Sequence, residues 1–194
     1  MQEIMIFDKD DPDFGDMQNV KRRMFALRNG VVAEALRRGG CPYRIVFGLT
    51  LPQLDEVASV TPHTVTLAQI LWDNDSTRES RLLAPMICPR EGMTVDRARR
   101  WLGQCRSTED VDILCHRLLR HLPWASMLVD ELSGREDADL MRYAAVRLAF
   151  NLVYKDAAMG LRVALAEERR ECPLTRHVAS MLADEARFVL NPGD

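Results

Sequence analysis

Helix start and stop signals recur along this chain at short intervals while strand signals almost vanish, and that pairing constrains the fold more than any other feature. Thr50-Leu51-Pro52 places a capping residue ahead of a proline in the first turn, the arrangement that opens a helix. Thr61-Pro62 repeats it ahead of Leu67, Ile70, Leu71 and Trp72, and 74–76 break that helix. Thr77 opens the next, to Ile87, with Pro89 marking its end; Thr94 caps 95–104. Ser107-Thr108-Glu109-Asp110 is an acidic variant of the capping box and predicts a helix to His121. Pro123 begins 124–132, Asp137 or Asp139 begins a strongly apolar helix to Tyr154, and 157–170 and 173–190 complete the chain. Upstream, Met24, Leu27, Val31 and Ala35 keep one helical stripe over 17–38 that Gly30 weakens. Only 43–49 holds a β-branched and aromatic cluster, without clean alternation.

About ten short helices and no strands leave a globular bundle or an α-solenoid of helix pairs. One internal echo favours the solenoid. Asp75-Ser76-Thr77-Arg78 and Asp139-Leu140-Met141-Arg142 both begin apolar helices and lie 64 residues apart, close to two helical-hairpin repeats. The reading is therefore an all-α chain, with an acidic tail over 1–16 and a single α-solenoid domain of antiparallel helix pairs over 17–194. Its apolar fraction, 47%, is enough for a core.

Charge narrows the function classes. The formal net charge is −3, but residues 1–16 alone sum to −5, so the remainder is slightly basic. Of 26 basic residues only Lys9, Lys21 and Lys155 are lysine. Arginine is the better planar donor to phosphate, although high-GC coding produces the same bias. Overall acidity speaks against a generic polyanion binder and leaves a local basic face open. No long uncharged apolar run predicts a membrane span. The acidic start, MQEIMIFDKD, is unlike a signal peptide, so a cytoplasmic protein is expected. Five cysteines without a CxxC pair read as reduced thiols, and the four histidines lack metal-ligand spacing, so no metal is expected.

Four ordered segments carry a resemblance. Phe47-Gly48-Leu49-Thr50-Leu51-Pro52-Gln53-Leu54 with Val57-Ala58 resembles a "YGV-x-x-P-x-L-R-x-x-A" segment. Leu71-Trp72-Asp73 through Arg78-Glu79-Ser80-Arg81-Leu82-Leu83-Ala84 is similar to an "LW…HEARLLA" helix. Arg99-Arg100-Trp101 through Asp112-Ile113-Leu114-Cys115 resembles "RW…SWDxxDxxC", and Leu140-Met141-Arg142-Tyr143-Ala144-Ala145 resembles "FVRRAA". Together they resemble the AlkD-type DNA alkylation repair proteins, HEAT-like repeat α-solenoids, over roughly residues 43–155.

The resemblance implies a DNA glycosylase that releases cationic alkylpurines, such as 3-methyladenine and 7-methylguanine, from duplex DNA on an Arg-lined surface without metal or organic cofactor. An N-alkylated purine is already a good leaving group, so the barrier lies in oxocarbenium charge developing on the sugar, which a carboxylate stabilises. By motif position that carboxylate is Asp112, with Glu109 as the first acid of the pattern and Arg142 as a phosphate clamp. The motif's tryptophan is Thr108 here, and its second arginine is Tyr143. Those two departures leave catalysis open.

Each reading has a plainer rival. Asp112 sits near a helix start, where the dipole favours any acid. Arg142 can pair with Asp139 at i, i+3. Arg97, Arg99, Arg100 and Arg106, with Arg117 and Arg120, form either a phosphate-facing ridge or a solvated face. Trp72, Trp101 and Trp124 lie in apolar stripes and read as core. The alternative function is a non-catalytic HEAT-like scaffold that binds DNA structures or a protein partner. A cysteine hydrolase built on Cys115 with His116 or His121 lacks an oxyanion-hole motif.

Overall fold

The computed structural model describes residues 12–135 and 139–191. Among them lie eleven α-helices and no strand; each helix packs on its neighbours, as in an α-solenoid of helical repeats. Contacts divide the chain between Gly92 and Met93 into two compact units. Most of the acidic tail and the candidate start Asp137 lie outside the described residues.

The first unit holds α1 (Pro12–Ala26), α2 (Gly30–Arg38), α3 (Leu51–Ser59), α4 (Val65–Asp73) and α5 (Arg78–Ile87). The single stripe expected over 17–38 is two helices. Asn29 ends the run: its side chain accepts from the Val31 and Val32 amides and caps α2, while its own amide donates to the Phe47 carbonyl. Gly30, the weak point in the pattern, is the first residue of α2. α1 buries Met17, Val20 and Met24 along one stripe, and α4 and α5 form the centre of the unit with Trp72 fully buried. α4 starts at Val65 rather than at Thr61-Pro62, because Thr64 supplies the cap by accepting from the Leu67 amide.

The 43–49 cluster forms no strand; a lone parallel bridge joins Ile45 to Thr77. A buried carboxylate holds the segment instead. Glu79, in the first turn of α5, accepts from the amides of Phe47 (3.0 Å), Gly48 (2.9 Å) and Leu49 (3.4 Å). Arg78 donates both to Glu79 at 2.9 Å and to the Leu49 carbonyl at 3.2 Å. Gly48 has φ +79°, and a Cβ there would lie 2.3 Å from the Asn29 carbonyl oxygen. Only glycine lets the chain pass α2 so closely.

The second unit holds α6 (Val95–Gln104), α7 (Thr108–Arg117), α8 (Ala125–Ser133), α9 (Asp139–Leu152), α10 (Ala157–Glu168) and α11 (Arg176–Leu190). α9 is buried on most of its surface, as a central helix must be, and packs against the other five. The predicted capping box forms: the Ser107 hydroxyl accepts from the Asp110 amide, and Asp110 accepts from the Arg106 and Ser107 amides. α7 ends at Arg117, short of His121, and a 3₁₀ turn over Leu119–His121 follows. The two Asp-x-x-Arg echoes sit differently: Asp139 begins α9, whereas Asp75 lies in the turn before α5. Trp101 is core and Trp124 is half-buried.

Candidate functional site

The capping box sets the start of α7, and so places Asp112, His116 and Arg120 at intervals of four along one side of α7 and the turn beyond it. On α9 the same spacing aligns Tyr143, Arg147 and Asn151. Because α7 packs on α9, the two polar rows meet. The Arg147 Nε lies 2.6 Å from Asp112 Oδ1, and the Tyr143 hydroxyl donates to the same oxygen at 2.9 Å. Farther along, His116 Nδ1 lies 3.2 Å from Asn151 Oδ1 and 3.2 Å from the Arg120 guanidinium.

Asp112 Oδ2 carries no hydrogen bond among the described residues, and the side chain keeps 34% of its surface exposed. Partial burial pushes the carboxyl above its ordinary value, and the Arg147 charge and the Tyr143 hydrogen bond offset only part of that rise. Burial also pushes the Tyr143 hydroxyl up, helped by the Asp112 charge, so Tyr143 acts as a neutral donor. Cys115, fully buried beneath, is pushed up by burial as well and stays a thiol. The arrangement is one carboxylate with one oxygen anchored and the other open, beside a single arginine, Arg147.

Arg142 lies elsewhere. One position before Tyr143, it points about 100° away round α9, pairs with Asp139, and lies 3.5 Å from Glu167 Oε1 on α10 with only a tenth of its side chain exposed. Glu167 in turn accepts from Thr175 and Arg170, a buried polar knot. Of the expected ridge, Arg100 and Arg106 are exposed and Arg117 is half-buried. Arg99 is bound to Asp96 and, through two guanidinium nitrogens, to Glu131. Glu109 and Thr108 are half-buried in the first turn of α7.

Sequence reasoning missed Arg147. The available signal was an arginine flanked by apolar residues, Val146 and Leu148, in a largely buried helix, a residue type that enters a packed face only when paired. Four of the five cysteines are buried, none is bonded to another, and no cluster of metal-ligating residues occurs among the described residues. No described helix is long and apolar enough to cross a membrane.

The model of a family described as DNA alkylation repair enzyme matches residues 20–188. No curated protein and no solved structure gives a match.

Proposed function

The chain belongs to the DNA alkylation repair enzyme family, and from that premise we propose that it binds duplex DNA and releases cationic alkylpurines as an N-glycosylase, with Asp112 as its catalytic carboxylate. The observation that carries this reading is the one-third-exposed Asp112, whose Oδ1 is anchored by Arg147 and Tyr143 while Oδ2 stays open.

The chemistry follows from that division. As the glycosidic C–N bond breaks, its electron pair leaves with the base and neutralises the purine cation, while positive charge develops on the sugar. A fixed carboxylate oxygen near that charge stabilises it without reorganising. The same oxygen orients a water toward C1′ and receives its proton, a role for which a raised carboxyl pKa is suited. Tyr143, in the place of the family's second arginine, contributes orientation rather than charge. Arg142 is already engaged by Asp139 and Glu167, so phosphate contacts fall to Arg100, Arg106 and, less exposed, Arg117. Neither a metal nor an organic cofactor takes part in this scheme.

A second reading, a non-catalytic reader of DNA structure, is favoured by the 2.6 Å contact that leaves Asp112 partly neutralised by Arg147, and by Thr108 in the motif's tryptophan position. Release of 7-methylguanine and 3-methyladenine from methylated duplex DNA, measured for wild type and Asp112→Asn, separates the two. Release that disappears in the variant while salt-sensitive binding survives supports the glycosylase. Binding without release by the wild type leaves the reader.

A further inference from the structure

The most basic stretch of the chain lies in the first unit and shares no residue with the Asp112 site. Between Met17 and Thr50 there are seven cations, Lys21, Arg22, Arg23, Arg28, Arg37, Arg38 and Arg44, against the single acid Glu34. Glu34 lies 4.0 Å from Arg38, and no other of these cations pairs with a carboxylate among the described residues. Two open cavities lie along this surface and share Phe47 in their walls. One, of about 430 Å³, is flanked by Arg28 and Arg37; the other, of about 360 Å³, by Lys21, Arg22 and Phe25.

Both arginines of the larger cavity are oriented without being neutralised. Arg28 donates to the Phe25 carbonyl at 2.8 Å, and Arg37 donates to the Val46 carbonyl at 3.3 Å. The Arg28 guanidinium also stacks over the Phe25 ring, 3.9 Å from its centroid, yet the Phe25 side is 56% exposed. An exposed aromatic ring beside preset cations calls for a ligand with both negative charge and flat apolar faces. Duplex DNA hides its base faces in the stack. An acidic peptide would engage the cations and leave the ring unused. A single strand offers phosphates at the spacing of its nucleotides together with free base faces.

We infer that the surface formed by Lys21, Arg22, Phe25, Arg28, Arg37 and Phe47 binds single-stranded DNA, with phosphates on the flanking cations and a base on the Phe25–Arg28 platform. The site stands apart from lesion release, so its failure and that of the glycosylase reading are read out separately.

The test uses the full chain and a fluorescent oligothymidylate of about twelve nucleotides, with binding followed by anisotropy across a salt series. Arg28→Gln with Arg37→Gln is expected to lower the slope of log affinity against log salt by about 1.4, the value for two phosphate contacts on a single strand. Phe25→Ala is expected to weaken binding between about 5- and 150-fold with the slope unchanged. Phe25 is exposed, so this variant keeps its fold, verified by helical circular dichroism. Affinity for blunt duplex DNA should stay the same in both variants. The inference is overturned by single-strand affinity that neither variant changes, by absence of single-strand binding, or by polyglutamate of equal length competing as well as the oligonucleotide.

Discussion

Replacing Glu79 by Gln preserves the side chain's shape and removes its charge at the point where the first unit is most tightly tied. Glu79 has no exposed surface, and Arg78 beside it is 5% exposed. Three amide donors, from Phe47, Gly48 and Leu49, and the Arg78 guanidinium converge on its two oxygens. Losing one partner of a buried ion pair costs about 3–5 kcal/mol, because the remaining charge stays desolvated. A glutamine oxygen recovers some of the amide bonds, but its NH₂ group faces further donors, so the lower end of that range, about 3 kcal/mol, is expected. That corresponds to roughly a 150-fold rise in local opening. Hydrogen exchange at the amides of residues 47–49 reads this directly, with the α9 amides of the second unit as an internal reference. Exchange accelerated less than about fivefold, equivalent to about 1 kcal/mol, would show that Glu79 is not the tie described, and would refute the reasoning.

Three further outcomes follow from the same structure. Gly48→Ala should destabilise by at least about 2 kcal/mol in urea unfolding, since it combines a φ of +79° with a Cβ 2.3 Å from the Asn29 carbonyl oxygen; an unchanged midpoint would contradict that close approach. Asp110→Ala should cost about 0.5–2 kcal/mol in the same unfolding assay, because the reciprocal half of the α7 capping box is lost and the Arg106 and Ser107 amides are left without their acceptor. The folded-state pKa of Asp112 is raised, so its contribution to stability is present below the unfolded-state value and is lost as pH rises through the folded one. Asp112→Asn should therefore flatten the stability profile on the acidic side, upward from the ordinary carboxylate value of 3.8; parallel profiles for variant and wild type, measured by urea unfolding at several pH values, would exclude this.

Much of the helix pattern was legible because its signals are local. Thr94 and Ser107 accept from amides three residues on, and Gln53 accepts from the Thr50 amide three residues back, so each cap is written in the segment it terminates. Where a boundary depended on a distant group, sequence reasoning slipped. The division of 17–38 into two helices is sealed by Asn29 reaching Phe47, a partner 18 positions away. The start of α4 at Val65 rests on Thr64 capping in place of Thr61, a choice between two candidate caps that spacing alone does not rank.

The site divides along the same line. Asp112 was identified by its motif, and the capping box that positions it is readable from four consecutive residues. Its partners were not, because Tyr143 and Arg147 come to it from α9, 31 and 35 positions on, through packing between two helices. Adjacent residues on α9 receive opposite assignments for the same reason: Tyr143 turns toward α7 and Arg142 toward Glu167 on α10. The amino-acid sequence by itself determined that this chain is helical, where most helices begin, and which carboxylate to consider, since all of these follow from short-range hydrogen bonding and periodicity. Only the tertiary structure decided which arginine meets that carboxylate, which arginine is buried, and which cations stand open beside an aromatic ring, because side-chain partnership across helices depends on how the helices pack and leaves no local trace.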